Sequence, residues 1–82
     1  MNIYVSSLNF KTRSESLQEL FSNYGEVASA KIITDRETGR SRGFGFVEMP
    51  NDTEGENAIT QLNGTDFEGR AINVTLAKPY RR

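Results

Sequence analysis

The sequence predicts an α+β fold of the ferredoxin-like, split βαβ kind (βαββαβ): a four-stranded antiparallel sheet with two helices on one face. Three observations carry this. Short β-branched and aromatic runs alternate with two segments of helical periodicity, in the order strand, helix, strand, strand, helix, strand, within 82 residues. The helical stripes from Leu17 to Tyr24 and from Gly55 to Leu62 match in spacing, so the two halves look pseudo-symmetric. No low-complexity segment or internal linker interrupts them. This leaves a single domain over residues 1–82, with 78–82 as a short C-terminal tail.

The first strand is Asn2 to Val5, β-branched and aromatic and followed by a polar stretch. In TRSESLQELFSNYG, Thr12 and Glu15 have capping-box spacing, Leu17, Leu20, Phe21 and Tyr24 fall at i, i+3, i+4 and i+7, and Gly25 closes the helix. The second strand is Val27 to Thr34, and DRETGRS after it is a polar loop with Gly39 for the turn. The third strand runs from Arg42 to Met49 and is ended by Pro50. NDTEGENAITQLNG repeats the helix logic, with Asn51 and Glu54 as cap pair, Gly55, Ala58, Ile59 and Leu62 on one stripe, and Gly64 after it. In the last strand, Ala71 to Ala77, Ile72 and Val74 face one way and Asn73 and Thr75 the other. Phe10 and Phe67 are expected to pack where loops meet the core.

Composition removes several functions at once. With no cysteine and no histidine, disulfides, ordinary zinc sites, thiol nucleophiles and imidazole acid–base chemistry are excluded. Nothing singles out the convergent Arg/Asn site that a hydrolase on this fold would need, so the expectation is no catalysis, no metal and no cofactor. No apolar run approaches the roughly 18 residues of a membrane span, and the opening MNIYVSSLNF lacks the pattern of a signal peptide. The expected location is the cytoplasm or an equivalent reducing compartment. The sequons at Asn51, Asn63 and Asn73 are read as chance matches.

The stretch RSRGFGFVEM breaks a rule of small soluble domains. As a strand it places Gly43, Gly45, Val47 and Met49 on one face and Arg42, Phe44, Phe46 and Glu48 on the other. Glycines occupy the core side, and two large rings share a face with charges. With the helices covering one face only, Gly43 and Gly45 are expected to admit close backbone approach on the covered side. Phe44 and Phe46 then face solvent beside Tyr4 of the first strand, which this fold places next to the third.

Three exposed rings form a platform suited to unpaired nucleobases, because every base has a π face and stacking contributes about 1–3 kcal/mol per base. Arg42 and Lys31 share that face, Arg36 and Arg40 lie in the adjoining loop, and Lys78, Arg81 and Arg82 lie in the tail; these are candidates for phosphates. Asn2, Ser29, Asn73, Thr75 and Tyr80 are the polar and aromatic candidates for base contacts. The net charge of −1 conceals a separation. Seven bases share the platform side with only Asp35, Glu37 and Glu48, whereas the other eight acids face Lys11, Arg13 and Arg70 elsewhere.

RGFGFVEM (Arg42 to Met49) resembles the octapeptide signature of the RNA-recognition motif, and IYVSSL (Ile3 to Leu8) resembles that family's hexapeptide signature. The similarity covers nearly the whole chain and is greatest to free-standing single-domain members in bacteria, notably cyanobacteria, and in organelles. Met49 replaces the final aromatic of the octapeptide at a core-facing position, where methionine fills space, and Ser6 and Ser7 stand where the family usually has Gly-Asn. The resemblance implies stacking by Tyr4, Phe44 and Phe46 and a charged contact from Arg42. The expected function is a monomeric module that binds single-stranded RNA, with single-stranded DNA not separated from it by the sequence. The alternative is a protein-interaction domain using the same aromatic face or the acidic helical face.

Overall fold

The structure, a computed structural model, describes residues 1–77. The expected tail at 78–82, with Lys78, Tyr80, Arg81 and Arg82, lies outside the described residues. Strands β1 (Asn2–Ser6), β2 (Ser29–Thr34), β3 (Ser41–Glu48) and β6 (Asn73–Leu76) form one antiparallel sheet in the order β2-β3-β1-β6. Helices α1 (Ser14–Ser22) and α2 (Asp52–Leu62) complete the predicted order, and a small ribbon, β4 (Asp66–Phe67) with β5 (Arg70–Ala71), is added between α2 and β6. The four-stranded α+β fold is the one expected from the pattern.

Alternation along the strands decides what is buried. Ile3 and Val5 of β1, Val47 of β3 and Val74 of β6 point to the helices, with Met49 and Ile72 beside them, and meet Leu17 and Phe21 of α1 and Ala58 and Leu62 of α2. Leu20, Tyr24 and Ile59 flank this core and are partly buried. Both helices pack against these inward residues, which leaves the other face of the sheet without a helix.

The second helix starts as its sequence predicts: the Asn51 side chain accepts from the Glu54 amide at 2.9 Å. The first does not. Its N-cap is Arg13, without a side-chain cap, and Thr12 is buried and donates its hydroxyl to Glu68 Oε1 at 2.6 Å. Capping-box spacing was present, but a carboxylate brought in from position 68 provides a stronger, charge-assisted acceptor for the hydroxyl.

Three further expectations change. The second strand begins at Ser29 rather than Val27, although Val27 still packs on the core. The last strand, expected from Ala71, begins at Asn73, because residues 66–71 fold back as the two-stranded ribbon. Its two-residue turn has Glu68 at φ 53° and Gly69 at φ 89°, the successive positive values of a hairpin turn whose twist matches the strands. Phe67 packs on the core as expected, but Phe10 is 65% exposed, lying over Gly43 rather than inside.

Candidate nucleic-acid interface

The two glycines of β3 are buried on the helix side, but their close neighbours are not the helices. A side chain at Gly45 would run into the backbone of Lys31 and Ile32 on β2, where the β2–β3 register shifts between Ile32 and Thr34. Gly43, at φ 83°, has the Leu8 carbonyl and the Phe10 ring against it, and its own carbonyl accepts from the Leu8 amide at 2.9 Å. The expected close approach is present, with a bulged neighbouring strand and the loop after β1 as the partners.

The register then arranges the open face in rows, because directly paired residues share a face. Tyr4 pairs with Phe46 on one side and Thr75 on the other, and Phe46 in turn pairs with Lys31. One row is thus Lys31, Phe46, Tyr4, Thr75. A second is Phe44, Ser6, Asn73, and a third is Ser29, Glu48, Asn2. The predicted aromatic residues meet in space: Tyr4 lies 5.7 Å from Phe44 and 5.5 Å from Phe46 between ring centroids, and Phe44 and Phe46 are 6.4 Å apart and edge-on. These separations are those of interacting rings, so the three hold one another in place. Phe46 is 38% exposed, and Tyr4 and Phe44 are half-buried by each other and by the strands.

The charged candidates surround this platform. Lys31 and Arg42 are exposed on the strands, and Arg36 and Arg40 are exposed in the loop between β2 and β3. Asp35 builds that loop: its Oδ1 accepts from the amides of Glu37 at 2.7 Å and Thr38 at 3.2 Å, while its own amide donates to the Arg40 carbonyl at 2.7 Å. Those two side-chain bonds, aided by the charge of Arg42, hold the Asp35 carboxyl below the usual aspartate value. Among the described residues, no acid is in ion-pair contact with Lys31, Arg36, Arg40 or Arg42.

At the other edge Asn73 donates through Nδ2 to Ser7 Oγ at 3.0 Å, and Ser7 takes a left-handed φ of 62°. Asn2 and Thr75 are exposed in their rows. Lys78, Tyr80 and Arg81 lie outside the described residues. The three sequon asparagines all have structural work: Asn51 caps α2, Asn63 Oδ1 accepts from the Val74 amide at 2.9 Å, and Asn73 holds Ser7. Ile33 and Glu48, to which the sequence assigned no contact, line a cleft with Ser29, Lys31, Phe46 and Asn2. For Glu48 the signal was available, since it stands two residues after Phe46 on the same strand.

Residues 3–73 match the profile of the RNA recognition motif family. The chain is 50% identical over 80 residues to the chloroplastic RNA-binding protein CP31B of Arabidopsis thaliana, covering 98% of this chain and 28% of that protein. It is 47% identical over 79 residues to RbpD of the cyanobacterium Nostoc sp., covering 96% of this chain and 84% of that protein. Thus it spans most of one relative and less than a third of the other. Among solved structures, the RNA-binding protein PG1 superposes with a TM-score of 0.94 at 50% identity, over 100% of this chain and 99% of that one. The Sex-lethal protein in its RNA complex superposes with a TM-score of 0.87 at 35% identity, over 93% of this chain and 47% of that one.

Proposed function

The chain belongs to the RNA recognition motif family, and from that premise we propose that residues 1–82 act as one domain that binds short single-stranded RNA on its open sheet face. The observation that carries this reading is the packing of Tyr4, Phe44 and Phe46 into one exposed aromatic cluster on the face that no helix covers. Bases stack on Tyr4, Phe44 and Phe46, and Arg42, Lys31, Arg36 and Arg40 neutralise the phosphates between and beside them. Asn2, Asn73 and Thr75, at the margins of the same rows, supply polar contacts to base edges, and Lys78, Tyr80 and Arg81, outside the described residues, add further contacts to the RNA. A sheet of this size seats about two or three nucleotides.

Unpaired bases are required, since the faces of bases in a duplex are already stacked on the neighbouring pairs. The binding is non-catalytic and the domain works as a monomer in the cytoplasm. Among the described residues, no helix is long and apolar enough to cross a membrane. Relatives and neighbours named for RNA binding support the reading, as does the free state of the four basic side chains among the described residues.

The test is a titration of a short single-stranded RNA pool at several salt concentrations, with the same pool as duplex and as single-stranded DNA. Binding that falls linearly in log–log form with salt, and prefers unpaired RNA, is the expected result. Binding indifferent to salt, or equal for duplex, contradicts it.

A further inference from the structure

We infer that Glu48 selects a guanine at the Phe46 position of the sheet. The inference rests on the proposed RNA binding and adds to it the identity of one base. Glu48 is exposed, two residues from Phe46 on β3, so the two side chains rise from the same face about 7 Å apart. A base stacked on Phe46 covers that distance and places one edge over Glu48. The surroundings form a cleft lined by Phe46, Lys31, Ile33, Asn2, Ser29 and Glu48.

On a surface that binds phosphates a carboxylate is unfavourable, since it repels the ligand's own charge. Glu48 is the one acid that the described strands place on this face, and its row partners, Asn2 and Ser29, are uncharged. Its anion therefore favours a ligand that brings hydrogen-bond donors rather than phosphate to this point. An ionised carboxylate only accepts hydrogen bonds, through two parallel oxygens. Guanine is the base whose Watson–Crick edge presents two neighbouring donors, N1–H and the 2-amino group. Adenine and cytosine each pair one donor with an acceptor, and the single donor of uracil lies between two carbonyls. Only guanine satisfies both oxygens without setting a lone pair against them.

The chemistry of the neighbouring variant sharpens the assignment. Glu48→Gln keeps the shape but offers one acceptor and one donor, a pattern that matches adenine. The substitution should therefore move preference between two purines that stack equally well, which a purely structural role for Glu48 would not do. Removing a negative charge should also raise binding of uracil-only RNA.

The experiment measures affinities of the full chain, wild type, Glu48→Gln and Glu48→Ala, for the pentanucleotides UUGUU, UUIUU, UUAUU, UUCUU and UUUUU, with inosine as the base that lacks the 2-amino donor. The expected result is a preference of the wild type for UUGUU over UUUUU of at least about fivefold, the lower limit for a bidentate base contact. UUIUU should fall between them. Glu48→Gln should lose the guanine preference and favour UUAUU, and Glu48→Ala should show no purine preference from this site. Equal wild-type affinity for all five oligonucleotides, or a guanine preference that survives in both variants, overturns the assignment while leaving RNA binding in place. Absence of binding to any of them at low salt overturns both.

Discussion

Tyr4 and Phe46 stand directly opposite each other on β1 and β3, with ring centroids 5.5 Å apart and planes tilted by 49°. This one pairing joins the two sequence signatures, 42 positions apart in the chain, into a single surface. It exists because β1 and β3 are neighbours in the middle of the sheet and because alternation turns Ile3 and Val5 inward while turning Tyr4 outward. The same geometry separates binding from stability, since rings on the open face add little to the core beneath.

Phe46→Ala should therefore weaken RNA binding by about 1–3 kcal/mol, the contribution of one stacked base. Its effect on folding should be small beside that of Phe21→Ala, which empties a fully buried position and should cost about 3–5 kcal/mol. Chemical denaturation of both variants, beside RNA titration of Phe46→Ala, checks the contrast. A core-like loss of stability at Phe46 contradicts the platform.

Gly45→Ala places a methyl group against the backbone of Lys31 and Ile32. Backbone does not yield as a side-chain tip does, so the bulged β2–β3 pairing must shift, at a cost of about 1–3 kcal/mol. The midpoint of urea unfolding measures it, and an unchanged midpoint would show that the bulge moves freely.

The Thr12 hydroxyl bond to Glu68 ties the β4–β5 turn to the approach to α1, together with the bond from Asn9 Nδ2 to the Glu68 carbonyl at 3.0 Å. Thr12→Val keeps the shape and removes the donor to a carboxylate, a loss of about 1.5–3 kcal/mol. Faster amide exchange in residues 66–71 should accompany it. If exchange there is unaffected, the Thr12 hydroxyl does not hold the turn.

The loop that carries Arg36 and Arg40 should loosen in acid. The folded Asp35 carboxyl titrates below its unfolded value, so the order it contributes is complete above the unfolded value, about pH 4, and is lost as pH falls through the lower folded one. Amide exchange at Glu37 and Thr38 reports the change. Asp35→Asn, which keeps a side-chain acceptor, should preserve the turn better than Asp35→Ala.

Much of this was legible in the residues because period and chemistry agreed. The alternation in β3 announced both the glycine side and the aromatic side, and the stripes of α1 and α2 located the core. What could not be read depended on residues far away in the chain. Thr12 had the spacing of a cap, and only the fold brings Glu68 to it. Gly45 was readable as a close approach, but the bulge in β2 that requires it is a property of the pairing. The 66–71 turn was missed because Glu68 is an unusual residue at positive φ, so Glu-Gly does not carry the signal that Asn-Gly would. Phe10 looked like a core residue by type, yet its position over Gly43 leaves most of its ring in solvent.

The most direct test of the sheet face as the RNA surface is the binding of a random-sequence short single-stranded RNA pool by the wild type and by the Phe44→Ala, Phe46→Ala double variant, after circular dichroism and denaturation show both to be equally folded. Loss of binding in the variant, with retained binding by the wild type that weakens as salt rises, is the predicted result. Equal binding by the two proteins contradicts the platform, and a wild type that binds no RNA even at low salt would transfer the aromatic face to a protein partner.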